Sequence, residues 1–172
     1  MKKRRLTMLV ALAVLGAEVE IRRGDETRVL PLYDVILKPY RTSLENGDLI
    51  TAVYVNKLPE GCVSDFYKLG RRRALAISRM TVATLLKMDK NGVVEYFDMT
   101  LGATFPRPQR FDDIPGLLVG KKPTEADIAA TAKAMADKIP EIAGIRHSTK
   151  YKQPVAEKLA ERVLRRLILG ED

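Results

Sequence analysis

The chain has one cysteine, one histidine and no tryptophan in 172 residues. A single Cys rules out an internal disulfide framework, and one His with one Cys rules out a zinc ribbon or a multi-His metal centre. Aromatics make up 6% of the sequence, a thin supply for stacking bases of single-stranded nucleic acid. No apolar run reaches the roughly 20 residues that a membrane-spanning helix needs. No GxGxxG and no GxxxxGK[ST] occurs, so no phosphate-cradling loop is legible. The carboxylates are scattered and no pair stands out as a general acid and base.

What is present is a chain 46% hydrophobic and 30% charged, with 30 Lys+Arg against 22 Asp+Glu and a net charge of +8. That composition buries a core and belongs to a basic globular domain of a reducing, cytoplasmic compartment. The charge alone would suit nucleic acid. The basic residues are interspersed with acids, however, and no helix-turn-helix signature accompanies them.

Residues 1–16 begin Met-Lys-Lys-Arg-Arg and continue with an apolar stretch to Gly16, the outline of a secretory leader. Gly16-Ala17-Glu18-Val19-Glu20-Ile21 then runs directly into alternation, with no small-residue cleavage box. A structural helix followed by a strand over residues 17–22 is the expectation. Gly24-Asp25 predicts a hairpin whose return strand covers residues 27–30. Residues 31–39 read as a connector holding the cluster Val35, Ile36 and Leu37. Glu45-Asn46-Gly47-Asp48 is a second turn, and residues 49–55 are rich in β-branched and aromatic types, as strands are. Pro59 and Gly61 break that strand, and residues 62–69 form the next.

Asp89-Lys90-Asn91-Gly92 between residues 78–88 and 93–104 is the strongest local signal, because Asn-Gly turns twist in the sense that antiparallel strands need. Pro106 and Pro108 close that hairpin. Thr124 with Asp127 predicts a helix cap. Ile128, Met135 and Ile139 share a face of that helix, and Pro140 is expected to stop it. A last helix from about Ser148 to Leu169 carries Val155, Leu159, Val163 and Leu167 as its apolar stripe, with Lys158, Glu161, Arg162, Arg165 and Arg166 around the rest. The fold class is α+β, an antiparallel sheet with a long hairpin packed by C-terminal helices.

Few side chains announce chemistry. His147 beside a helix start reads as a surface or capping residue. Cys62 has no neighbouring base and reads as a small apolar filler. Arg71, Arg72 and Arg73 form either a solvated loop or an oxyanion or partner contact.

The ordered motifs go further. They are Gly47-Asp48-Leu49-Ile50-Thr51-Ala52-Val53, Phe66-Tyr67-Lys68-Leu69-Gly70-Arg71-Arg72-Arg73, Leu101-Gly102-Ala103-Thr104-Phe105-Pro106-Arg107-Pro108, Leu118-Val119-Gly120-Lys121, and Ile145-Arg146-His147-Ser148-Thr149-Lys150. The series resembles the FAD-binding (medium) subunits of the molybdenum hydroxylases, the family of xanthine dehydrogenase and aerobic carbon monoxide dehydrogenase. The resemblance implies that residues 1–58 are part of a second FAD-binding subdomain and residues 59–172 a flavoprotein C-terminal domain.

It also implies FAD as cofactor, with Ile50 and Lys68 at the flavin. Without the family, Ile50 reads as strand core and Lys68 as an exposed strand-end lysine. Thr7 stands where the family usually has an acidic residue and Pro39 where it has a Gly, and the family's Gly-rich pyrophosphate loops have no counterpart here. The resemblance therefore implies part of an electron-transfer subunit, inactive by itself. Its expected partners are molybdenum-cofactor and iron–sulfur subunits, with self-association possible and neither nucleic acid nor membrane expected. A non-catalytic module for subunit assembly is the alternative.

Overall fold

A computed structural model describes residues 6–72 and 76–171, apart from the side chain of Leu6. The basic lead-in Met1–Arg5 and Arg73 of the arginine run lie outside the described residues. The apolar run after the lead-in is a helix, α1 (Leu6–Val14), and it buries Val10, Ala13 and Val14.

Strands β1 (Glu18–Arg23) and β2 (Glu26–Pro31) form the expected hairpin, with Arg23 opposite Glu26 across a turn at Gly24. The connector that follows is more ordered than its sequence implied. It holds a single helical turn, α2 (Leu32–Val35), and a short strand, β3 (Ile36–Lys38), paired with β4 (Arg41–Thr42). Burial of Leu32 and Val35 against β1 and α1 stabilises this turn, where local propensity would leave it open. β5 (Leu49–Tyr54) returns antiparallel to β1 and completes a sheet of order β2-β1-β5.

The second sheet has order β6-β7-β8, from β6 (Val63–Gly70), β7 (Ser78–Met88) and β8 (Val94–Gly102). Its β7–β8 turn forms as the Asn-Gly signal requires. Asp89 Oδ1 accepts from the backbone N–H groups of Asn91 and Val93, each at 2.8 Å, and Gly92 takes a φ of 81°. β8 ends at Gly102, four residues before the proline expected to end it. Ala103 is forced to a φ of 63° there, and Lys152 Nζ donates to its carbonyl at 2.6 Å.

The last two helices cover one face of this sheet. α3 (Glu125–Ala143) starts in a complete capping box, Thr124 with Asp127, and buries Ile128, Met135 and Ile139 as expected. It does not stop at Pro140. The helix runs through that residue to Ala143 and closes at Gly144, whose N–H donates to the Pro140 carbonyl. A proline there costs one late intrahelical bond, and packing of Ile139 against the core outweighs that loss. α4 (Thr149–Leu169) buries Leu159 and Val163 with Ala156, Ala160 and Leu164, while Val155 and Leu167 pack at the edge of the core.

The two faces of the β6-β7-β8 sheet divide by residue parity. Met80, Val82 and Leu86 of β7 join Phe97, Met99 and Leu101 of β8 under α3 and α4. Ala83 and Leu85 face the other way and pack on Val10 and Val14 of α1. Ala13 of α1 joins Val19 and Ile21 of β1 with Leu32 and Val35 of α2 in a separate buried cluster, which links α1 to the first sheet. No helix among the described residues is long and apolar enough to cross a membrane.

Candidate functional site

Lys68 and Ile50 are placed by the two sheets that α1 links. Lys68 pairs with Thr81 across β6 and β7, two positions from the pair Phe66–Ala83. Directly opposed residues of an antiparallel pair share a face, so Lys68 and Phe66 stand on the α1 side with Ala83. Ile50 pairs with Ile21, which is buried in the cluster that includes Ala13 of α1. Ile50 therefore also faces the α1 side, from the other sheet. The two residues flank one helix and do not meet in a closed pocket.

Both are accessible. Ile50 is 45% exposed, so it is not strand core. Lys68 is exposed near the end of its strand. Sequence reasoning did not single out Phe66, which extends the same surface next to Lys68. The signal for it was the alternation Ser64, Phe66, Lys68 on one side of β6. Thr7 adds a contact at the start of α1, where its hydroxyl and that of Ser78 lie 3.1 Å apart. That contact seats the helix against the first residue of β7.

The remaining candidates have ordinary surroundings. His147 is exposed in the turn before α4. Cys62 is half-buried against Val10, Val14, Ala83 and Leu85, and burial pushes its thiol above the usual range, which favours the unreactive protonated form. Arg71 and Arg72 are exposed in the bend after β6.

Several charged residues elsewhere fasten elements together. Arg110 Nε donates to the buried carboxylate of Asp98 at 2.5 Å on the α1 face of β8, and the Arg110 guanidinium lies beside Gly16 at the end of α1. Burial nevertheless pushes the Asp98 carboxyl above the ordinary range, with Arg110 opposing it. Arg166 pairs with Asp65, and the Arg162 guanidinium lies 5.4 Å from the Tyr67 ring centre, so both bind α4 to β6.

A flavin dinucleotide makes two demands: a surface for its ring system and converging N–H donors for its pyrophosphate. Toward the first, Ile50 and Phe66 present exposed apolar surface and Lys68 an exposed ammonium. For the second, no Gly-rich loop leads into a helix among the described residues, although Ser148 makes no side-chain cap bond at the start of α4. The N-terminus of α3 is closed by its own capping box. Two open hollows, of about 270 and 380 Å³, are lined by Glu26, Thr27 and Arg28 and by Lys158, Glu161, Arg162, Arg165 and Glu171.

Two family models match the chain. Residues 65–167 match the CO dehydrogenase flavoprotein C-terminal domain, and residues 2–58 match the FAD binding domain in molybdopterin dehydrogenase. The chain is 30% identical over 146 residues to the nicotinate dehydrogenase FAD-subunit of Eubacterium barkeri, covering 83% of this chain and 49% of that protein. It is 28% identical over 159 residues to the 6-hydroxypseudooxynicotine dehydrogenase complex subunit alpha of Paenarthrobacter nicotinovorans, covering 90% and 52%. The chain thus spans about half the length of the curated relatives it matches. A chain of the Cu,Mo-CO dehydrogenase in its cyanide-inactivated form superposes with a TM-score of 0.81 at 22% identity, over 95% of this chain and 57% of that one, a likeness of fold.

Proposed function

We propose a function from one premise: the chain belongs to the FAD-binding subunits of the molybdenum hydroxylases. In this reading it supplies one wall of the flavin site in the electron-transfer subunit of such an oxidoreductase. Electrons from iron–sulfur clusters pass through FAD to an acceptor such as NAD. FAD, when bound, supplies the redox chemistry. Residues 1–58 are the part of the second FAD-binding subdomain carried here, and residues 59–172 the C-terminal domain. Molybdenum-cofactor and iron–sulfur subunits are the partners, in the cytoplasm.

The observation that carries the reading is the placement of Ile50 and Lys68 on opposite flanks of α1, each on the face turned toward that helix. Ile50 and Phe66 offer apolar surface to a ring system and keep water from it. Lys68 holds a positive charge at its polar edge, which favours negative charge on the reduced cofactor. No group among the described residues cradles the pyrophosphate, so in this reading the rest of the site comes from the portion of the relatives that this chain does not span. An assembly role is compatible, and the exposed apolar residues of β5 favour it.

Titration of the isolated chain with FAD, followed in the flavin absorbance bands, tests the reading. Weak or no binding is expected, and tight stoichiometric binding would contradict it. Fused behind the missing portion of a relative, the chain should bind FAD. Lys68→Met should then make the potential more negative by tens of mV, where ~30 mV corresponds to ~1.4 kcal/mol for a two-electron couple.

A further inference from the structure

We propose that Asp98 and Arg110 form a proton-operated latch on the end of α1. With Asp98 ionised, the Arg110 guanidinium is held between the second sheet and that helix end. A proton on Asp98 lets the guanidinium go. The inference stands apart from the flavin reading and holds whether or not a cofactor binds.

The latch begins with how α1 ends. Gly16 takes a φ of 63°, its N–H donates to the Ala13 carbonyl at 3.0 Å, and the Ala17 N–H donates to the Leu12 carbonyl at 2.9 Å. These are the paired cap bonds of a helix that stops on a left-handed glycine. They leave the negative end of the helix dipole without a cation of its own, because the last turn of α1 holds no basic residue. Arg110, in the segment after β8, supplies one from outside. A Cβ built on Gly16 would come within 3.1 Å of its Nη1. The same guanidinium donates through Nε to Asp98 Oδ2 at 2.5 Å. One side chain thus joins a helix of one family match to a strand of the other.

Asp98 lies on β8 opposite Leu85 and has no exposed surface. Its Oδ1 is buried with no hydrogen-bond partner among the described residues, so that oxygen is the one to take a proton. Burial favours the neutral acid and Arg110 favours the carboxylate. With the guanidinium swung away, burial acts alone. The acid therefore holds its proton more tightly with the latch open than with it closed, and by linkage a proton favours the open form. Arg110 has a route out, since its side chain is 40% exposed. The backbone beside it stays, because Thr100 Oγ1 donates to the Gln109 carbonyl at 2.5 Å and neither group titrates.

The neighbours of Asp98 leave this step to it. Tyr96 on the same strand and Cys62 before β6 share its face. Burial holds the phenol and the thiol above their ordinary values, so both stay protonated as pH falls. Lys87 of β7 pairs with Glu95 at 2.7 Å, and Glu60 and Asp112 are exposed. α1 brings no charge from Leu6 to Val14.

Hydrogen exchange of the full chain, corrected for the intrinsic effect of pH on amide exchange, tests the latch. Protection of the Leu15, Gly16 and Ala17 amides should fall about fivefold or more between about pH 7 and about pH 4.5. The amides of Val82 to Leu86 should keep their protection, which separates release of the helix end from unfolding. Asp98→Asn and Arg110→Gln should each give low protection at the helix end at every pH. Asp112→Asn and Tyr96→Phe should respond as the unsubstituted chain does. In that chain, the magnetic resonance signal of Arg110 Nε should titrate with the midpoint of the Asp98 carboxyl carbon, a readout that needs no variant to fold. Protection that ignores pH, or a pH response that survives in Asp98→Asn, overturns the proposal. So does an Arg110 signal that stays still while Asp98 titrates, or a response that disappears in Asp112→Asn or Tyr96→Phe.

Discussion

Asp48 accepts from Arg23 Nε at 2.8 Å, from an Arg28 Nη at 2.5 Å and from the backbone N–H of Glu45 at 2.9 Å, and its side chain is shielded from solvent. These bonds, Arg23's first, hold its carboxyl well below the usual carboxylate range. A depressed folded-state value means stability that is present above the ordinary Asp value of about 3.9 and lost as pH falls below it. Asp98 has the opposite sign. Burial raises it, so its contribution is present below the ordinary value and is lost as pH rises through the raised one. Asp48→Asn should therefore lower the urea midpoint at pH 7 and flatten the decline of stability between about pH 4 and pH 2. Parallel curves for the two proteins across that range would show that the carboxylate is not the group responsible.

At the scale of elements, the position of α1 is set by one small residue. A Cβ built on Gly102 would collide with Thr81 Oγ1 and Val10 Cγ2. Gly102→Ala must push α1 off β8 or distort the strand, and overpacking of this kind costs about 1–3 kcal/mol or more. Chemical denaturation reads that loss, and an unchanged midpoint would mean that α1 does not lie against this strand. The strands and helices themselves were mostly legible, because period-2 alternation, the Asn-Gly turn and the Thr124–Asp127 cap are local signals. The misses were decided by tertiary contact. α2 exists because Leu32 and Val35 are buried, and α3 passes Pro140 because Ile139 is held in the core. Ile50 and Lys68 came from family resemblance. Nothing in their spacing says that both face α1, since that depends on the registers of two separate sheets.

The whole molecule is held together across the boundary between its two family matches. Val10 and Val14 share a cluster with Ala83 and Leu85, Thr7 meets Ser78, and Arg110 spans from Asp98 to the end of α1. Arg107 adds a bond to the Tyr33 carbonyl at 3.3 Å. The sheet of the C-terminal match thus borrows a helix from the other match to cover its second face. Removing residues 1–58 would uncover Ala83 and Leu85 and leave the Asp98–Arg110 pair without the helix beside it. Loss of the two buried valines alone forgoes about 3–6 kcal/mol, a large share of the roughly 5–15 kcal/mol that holds a domain folded. The full chain should melt in one cooperative transition. A piece beginning at residue 59 should bind a hydrophobic dye and melt broadly, with loss of near-ultraviolet dichroism. A sharp transition in that piece, as stable as in the full chain, would mean that α1 only rests on the sheet. The flank of α1 could then not hold Ile50 and Lys68 in a fixed relation.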